Sequence, residues 1–180
     1  RWIIVLVLVA CVLAGSVVLL LPRLHRRDVL YYQRGMLHLE AGDSDSALQS
    51  FRMALTKNPT MRDAQVGVVR ALDAKRDYAG AEQELDKAVG MGLPEGDAAV
   101  LRANIFAERG TYRINGPQAG VTVELCDSVI SNDLDPAIAL LQKYADKAGE
   151  PARAYGRLGD LLMQKSNVLS ISWQLHRSLR

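Results

Sequence analysis

The sequence predicts an all-α chain, with one apolar helix at the N-terminal end and paired amphipathic helices after it. Three observations predict this. Residues Trp2 to Leu21 carry no charge. From Asp28 onward, apolar and small residues recur at the i, i+3, i+4, i+7 spacing that puts side chains on one helical face. Gly, Asp and Pro punctuate those stripes at the offsets where helices stop and restart.

The first element is the run WIIVLVLVACVLAGSVVLLL. About 20 apolar residues are what a helix needs to cross a hydrocarbon core of about 30 Å, so residues 1–22 are expected to form a single-pass anchor. Trp2 is placed for one interface, and Arg23, Arg26 and Arg27 of the basic linker 23–27 for the other. The run exceeds the signal-peptide core of about 7–15 residues and lacks a small-x-small site followed by polar chain. Leu8-Val9-Ala10-Cys11 resembles a lipobox, but the ten residues after Cys11 stay apolar, where a lipoprotein has a soluble tether. The anchor is the preferred reading. Three arginines after the span against Arg1 before it place the remaining chain in the cytoplasm, with the periplasm as the alternative.

Asp28–Met61 reads as two helices joined by a tight turn. Tyr31, Arg34, Gly35 and His38 share one stripe, and Ala47, Phe51 and Ala54 share another. Gly42 is a helix stop, Asp43 or Ser44 caps the next start, and Pro59 opens a new direction. This pattern resembles the tetratricopeptide repeat, a 34-residue helix–turn–helix unit with a W-x2-L-G…Y…A-x3-F…P signature. Tyr31 stands in the Trp place, Arg34-Gly35 in the Leu-Gly place, and Ala47, Phe51, Ala54 and Pro59 match. Such a unit cannot bury its apolar face alone, so further units are expected over 28–180.

A second unit spans 62–95. Gly67, Val68, Ala71 and Leu72 lie on its first helix, and Ala81, Leu85 and Ala88 repeat the second stripe. Gln65 takes the Trp place, Asp77-Tyr78 makes the turn, and Gly90, Gly92 and Pro94 close the unit. Residues 96–117 are irregular: Asp97 caps a helix that ends at Gly110, before a loop with Asn115-Gly116-Pro117 as breakers. Two registers fit the middle of the chain. In the preferred one, 118–151 is a unit with a helix from Val121 to Asn132, a turn at Asn132-Asp133-Leu134, and Ala137, Leu141 and Tyr144 as its second stripe. In the other, Val121–Ile130 is the displaced second helix of the preceding unit. A short strand over Gly120–Leu125 is a further alternative. The last unit is 152–180, with Tyr155, Leu158, Gly159 and Leu162 as first stripe, Asn167-Val168 as turn, and Ile171, Leu175 and Ser178 as second stripe. Its closing helix lacks a polar capping helix, so that face is covered by further chain or by a partner.

Composition narrows the function. Subtracting the four basic residues of the first 27 from 22 leaves 18 basic against 20 acidic residues, with no basic face or interleaved aromatics for nucleic acid. His25, His38 and His176 are scattered, and His38 falls at a packing place between helices. No HExxH, CxxC, P-loop or GxSxG pattern occurs. Cys126 reads as a buried thiol, and Asp43, Asp45, Asp77, Asp133 and Asp135 read as helix caps rather than calcium ligands. No catalytic residue, metal, cofactor or small-molecule substrate is expected.

The resemblance implies a right-handed α-solenoid whose concave face is lined by the first helix of each unit. There it places Tyr32, Met36 and Leu39, then Val66, Arg70 and Asp73, then Gly156, Asp160 and Met163 as a partner groove. Some members grip a C-terminal carboxylate with Lys and Asn; Tyr32 and Met36 stand at those places here, which argues against that clamp. The expected function is a membrane-tethered scaffold that holds a protein partner beside the bilayer. The alternative is a constitutive structural subunit of a large membrane enzyme or secretion complex.

Overall fold

The helix boundaries of the first two units follow from their caps. A computed structural model describes residues 27–117 and 120–178. The uncharged run, with Trp2, Arg23 and Arg26, lies outside them; Arg27 is exposed at the start of a helix over 27–40, α1. No helix among the described residues is long and apolar enough to cross a membrane.

After α1 come α2 (Ser44–Lys57), α3 (Arg62–Ala74) and α4 (Tyr78–Gly90). Gly42 turns the chain at φ 78°, and Asp43 accepts from the Ser46 N–H at 3.1 Å to start α2. The Ser46 hydrogen bonds hold the Asp43 carboxyl below its ordinary value. One repeat later the same device recurs. Arg76 occupies the left-handed region at φ 64°, and Asp77 accepts from the Gly80 N–H at 3.0 Å. The Asp43 N–H donates to His38 O, and the Asp77 N–H to Leu72 O, again 34 residues on. The backbone therefore repeats although Gly42 has become Arg76.

α5 (Glu95–Asn115) continues through Gly110, where the sequence suggests a stop. Gly110 is buried, and a Cβ there would meet Asp133 Cβ at 3.1 Å and Val129 Cγ1 at 3.2 Å. It serves close packing inside a helix. Asp97 does not cap this helix either: Pro94 precedes it, and the Asp97 carboxylate accepts from the Gly149 N–H at 2.7 Å. Gly96 lets that turn pass, because a Cβ on it would lie 2.2 Å from backbone atoms of Lys147 and Ala148.

The next region departs further from the expected hairpin. α6 (Val123–Val129) runs through a π-helical turn, Ile130–Leu134, into α7 (Asp135–Tyr144) without reversing. Pro136 has no N–H to give an α-helical ladder, and the wide π turn just before it takes up the mismatch. No strand occurs among the described residues; Thr122, at the suggested strand, is extended and caps α6 through its side chain. A 3₁₀ turn (Ala145–Lys147) leads to α8 (Pro151–Ser178), 28 residues with no break at Asn167-Val168. Val168 is buried within that helix. The face expected to pack is partly rotated: Leu158, Ile171 and Leu175 pack on the second core, but Tyr155 and Leu162 are exposed, while Ala154, Leu161 and Val168 point inward.

Two cores result. Phe51, Val68, Val69, Leu72, Leu85 and Ile105 build the first. Cys126, Val129, Leu134, Leu141, Leu161 and Ala103 build the second. Cys126 is fully buried, and burial pushes its thiol pKa up. In the first core the Phe51 ring lies between two glycines, since a Cβ would come within 2.6 Å of it at Gly35 and 2.5 Å at Gly67. Gln65, in the Trp place, donates to the Glu84 carboxylate at 2.6 Å and backbone carbonyl at 3.0 Å, so it ties α3 to α4 instead of filling space.

The five aspartates divide. Asp43 and Asp77 cap helices. Asp45 pairs with Lys75 and Asp135 with Lys165 across helices. Asp133 is fully buried and takes Arg109 and Arg113 of α5, each at 2.6 Å.

Candidate functional site

The cavity that could receive a partner is built by helices 34 residues apart in phase. α1 and α3 present the same face side by side, α5 extends that wall, and the Ala148–Arg153 turn closes one end. The cavity is an open trough of about 680 Å³, within the roughly 300–1,000 Å³ of typical ligand clefts.

Five of the nine residues expected in the groove line this cavity: Tyr32 and Met36 from α1, and Val66, Arg70 and Asp73 from α3. Leu39 is half-buried and packs on the first core. Gly156, Asp160 and Met163 are exposed on α8 and do not line the cavity. Tyr32 also rests on Phe51, with ring centroids 5.9 Å apart at 50°, so the groove wall is backed by the core.

Residues outside that set complete the site. Asp97, Val100 and Asn104 line it from α5, and Glu150 and Arg153 from the end wall. The i, i+3, i+4, i+7 sequence Asp97, Val100, Leu101, Asn104 marks them as one helical face. The sequence pattern places α5 outside the regular array, which conceals them.

The polar groups of the groove are mostly engaged. Arg62 donates to the Gly92 carbonyl at 3.1 Å, and Arg153 lies 3.6 Å from Glu150. Beside the groove, Arg157 donates to Asn104 Oδ1 at 2.8 Å and sits 3.6 Å from Glu108. Asp73 is different. Its Oδ1 is buried, and no group among the described residues donates to it. Desolvation first, then the Glu108 carboxylate, raises its pKa from 3.8 to about 6, with Arg157 acting the other way.

His38 is half-buried; its Nδ1 lies 3.7 Å from Asp43 and its Nε2 accepts from Arg34 at 3.3 Å. No three of His, Cys, Asp and Glu come together as a metal-binding group among the described residues. The arrangement offers a mixed apolar and charged trough rather than a reacting centre.

Residues 32–95 match the family model of the tetratricopeptide repeat. That segment covers α2 to α4, most of α1 and the first residue of α5, and so two walls of the cavity. The family is generally a non-catalytic module for binding other proteins. No curated protein matches the chain.

Proposed function

We propose that the chain is a membrane-tethered scaffold whose groove holds a segment of a protein partner beside the bilayer. The observation that carries this is the cavity itself: α1, α3 and α5 align their faces around about 680 Å³, with Tyr32, Met36 and Val66 as apolar contacts and Arg70 and Asp73 as polar ones. The uncharged run Trp2–Leu21 supports the tether, with Trp2, Arg23, Arg26 and Arg27 at the interfaces. The arginines after the run favour a cytoplasmic scaffold. Anchoring confines the groove to a thin layer and raises its effective concentration for membrane-bound partners.

A photo-crosslinking residue at Val66 should capture one partner in cells, while the same residue at Glu124, exposed on α6, should not. Equal labelling from both positions overturns the groove reading. Labelling a cysteine introduced near Ser178 from each side of the membrane tests the tether and its orientation.

A specific observation favours a second reading, a constitutive subunit of a larger assembly. Tyr155, Leu162, Leu169 and Trp173 are exposed along one stripe of α8, an apolar face that a permanent neighbour would cover. Co-migration on a native gel that survives high salt distinguishes this from a transient adaptor.

A further inference from the structure

The groove contains one polar group whose needs the protein leaves unmet. Asp73 Oδ1 is buried at the groove wall with no donor among the described residues, and leaving such an oxygen unpaired is costly. The charged groups around it do not resolve this. On α5, Glu108 is another carboxylate, and on α8, Arg157 is committed to Asn104 and Glu108. On α4, the Tyr78 hydroxyl donates to the Glu108 carbonyl at 3.3 Å. On α3 itself, Arg70 makes no ion pair among the described residues and is exposed to solvent. Two carboxylates and one engaged guanidinium leave the corner short of one positive charge.

We propose that the groove takes a partner segment whose lysine or arginine side chain comes down onto the half-buried Asp73 carboxylate where it lines the cavity, and balances a charge that no donor among the described residues meets at the buried Oδ1. This rests on the groove being a peptide site, and it names the chemistry that site selects. The asymmetry between the neighbours decides the sign. An anion placed on Arg70 exchanges one hydrated contact for another, whereas a cation on Asp73 completes a desolvated, charge-assisted hydrogen bond of the stronger kind. Tyr32, Met36 and Val66 lie along the same wall to hold the apolar side chains that flank the cation. Binding a cation requires the carboxylate, so affinity rises with pH as Asp73 loses its proton near 6.

The test is selection of a random dodecapeptide library, displayed on phage, against the full chain in phospholipid nanodiscs at pH 7.5. The expected winners share one lysine or arginine at a fixed position. A winning peptide should bind about tenfold or more weakly to the Asp73→Asn variant. Norleucine or citrulline in place of its cation should cost the same, and the two changes together should cost no more than either alone. Arg52→Gln, which removes an exposed cation on α2 outside the cavity, should change binding less than threefold, and raising pH from 5 to 7.5 should tighten it. Unchanged thermal melting of Arg52→Gln, and no loss of stability in Asp73→Asn, show that the fold is retained. Winners without a common cation, or a cation effect that survives Asp73→Asn, overturn this proposal while leaving the groove as a peptide site. No enrichment over empty nanodiscs overturns both.

Discussion

The ring of Phe51, held between Gly35 and Gly67, makes a prediction whose sign can be worked from distances. Replacing a mid-helix glycine by alanine normally stabilises a helix by about 1 kcal/mol. At Gly67 the new Cβ would lie 2.5–2.8 Å from three ring carbons, where carbon atoms prefer about 3.5–4.0 Å. The ring cannot retreat by that ångström, because it is fully buried and its other side lies against Gly35. Overpacking of this kind costs about 1–3 kcal/mol. The net effect of Gly67→Ala is therefore a loss of up to about 2 kcal/mol once the propensity gain of about 1 kcal/mol is subtracted. Phe51→Ala alone costs about 3–5 kcal/mol. In that background the clash is gone, and Gly67→Ala should stabilise by about 1 kcal/mol as propensity returns and the methyl fills part of the void. The cycle thus carries a coupling of about 1–3 kcal/mol. Urea denaturation with trimethylamine oxide present to keep the Phe51→Ala forms folded measures all four corners. A stabilising Gly67→Ala in the parent protein, or the same free-energy change in both backgrounds, refutes the argument.

The second core and the groove carry three further predictions. Asp133→Asn leaves Arg109 and Arg113 without their shared carboxylate and should cost about 2–4 kcal/mol in urea denaturation, less than a fully buried pair because both arginines are about a third exposed. Gly96→Ala should displace the Ala145–Ala148 turn and break the Asp97–Gly149 hydrogen bond; faster amide exchange at Ala148 and Gly149 is the expected signature, and unchanged exchange refutes it. Asp73 has a folded pKa of about 6 against an ordinary 3.8, so folding takes up a proton between those values and stability falls as pH rises from about 4 through 6. Asp73→Asn should therefore raise the melting temperature above pH 6, with the gain vanishing near pH 4.

The first two units were legible because each device there is local. Gly42, Asp43, Asp77, Ala47, Phe51 and Ala81 act on residues within one turn or one hairpin, and the structure uses them where the sequence puts them. Five groove residues came from the same phase. Beyond Glu95 the decisive partners are far apart in sequence. Gly110 looks like a helix stop because nothing near it in the chain reveals that Asp133 and Val129 will press against it. Asn132-Asp133-Leu134 looks like a turn because polar residues beside a proline imitate one; the two arginines that bury Asp133 lie 20 and 24 residues away. Tyr155 and Leu162 of α8 are exposed for a related reason, although Leu158 packs on the second core. Tyr155, Leu158, Gly159 and Leu162 fit the repeat signature, but α8 packs on α6 and α7, which do not form the hairpin that signature presupposes.

α5 carries a consequence for how the molecule comes apart. Ala98 and Ile105 belong to one core, while Ala103, Ala107 and Ile114 belong to the other. In a regular array each repeat touches only its neighbours, so stability is nearly a sum of local terms and the ends can melt alone. Here a single 21-residue helix has one face in each core. Loosening either core strips half the burial from the helix that the other needs, so the two are bound into one cooperative unit. Opening that reaches α5 is close to global unfolding, and slow-exchanging amides should concentrate along its length rather than in the better-formed repeats before it.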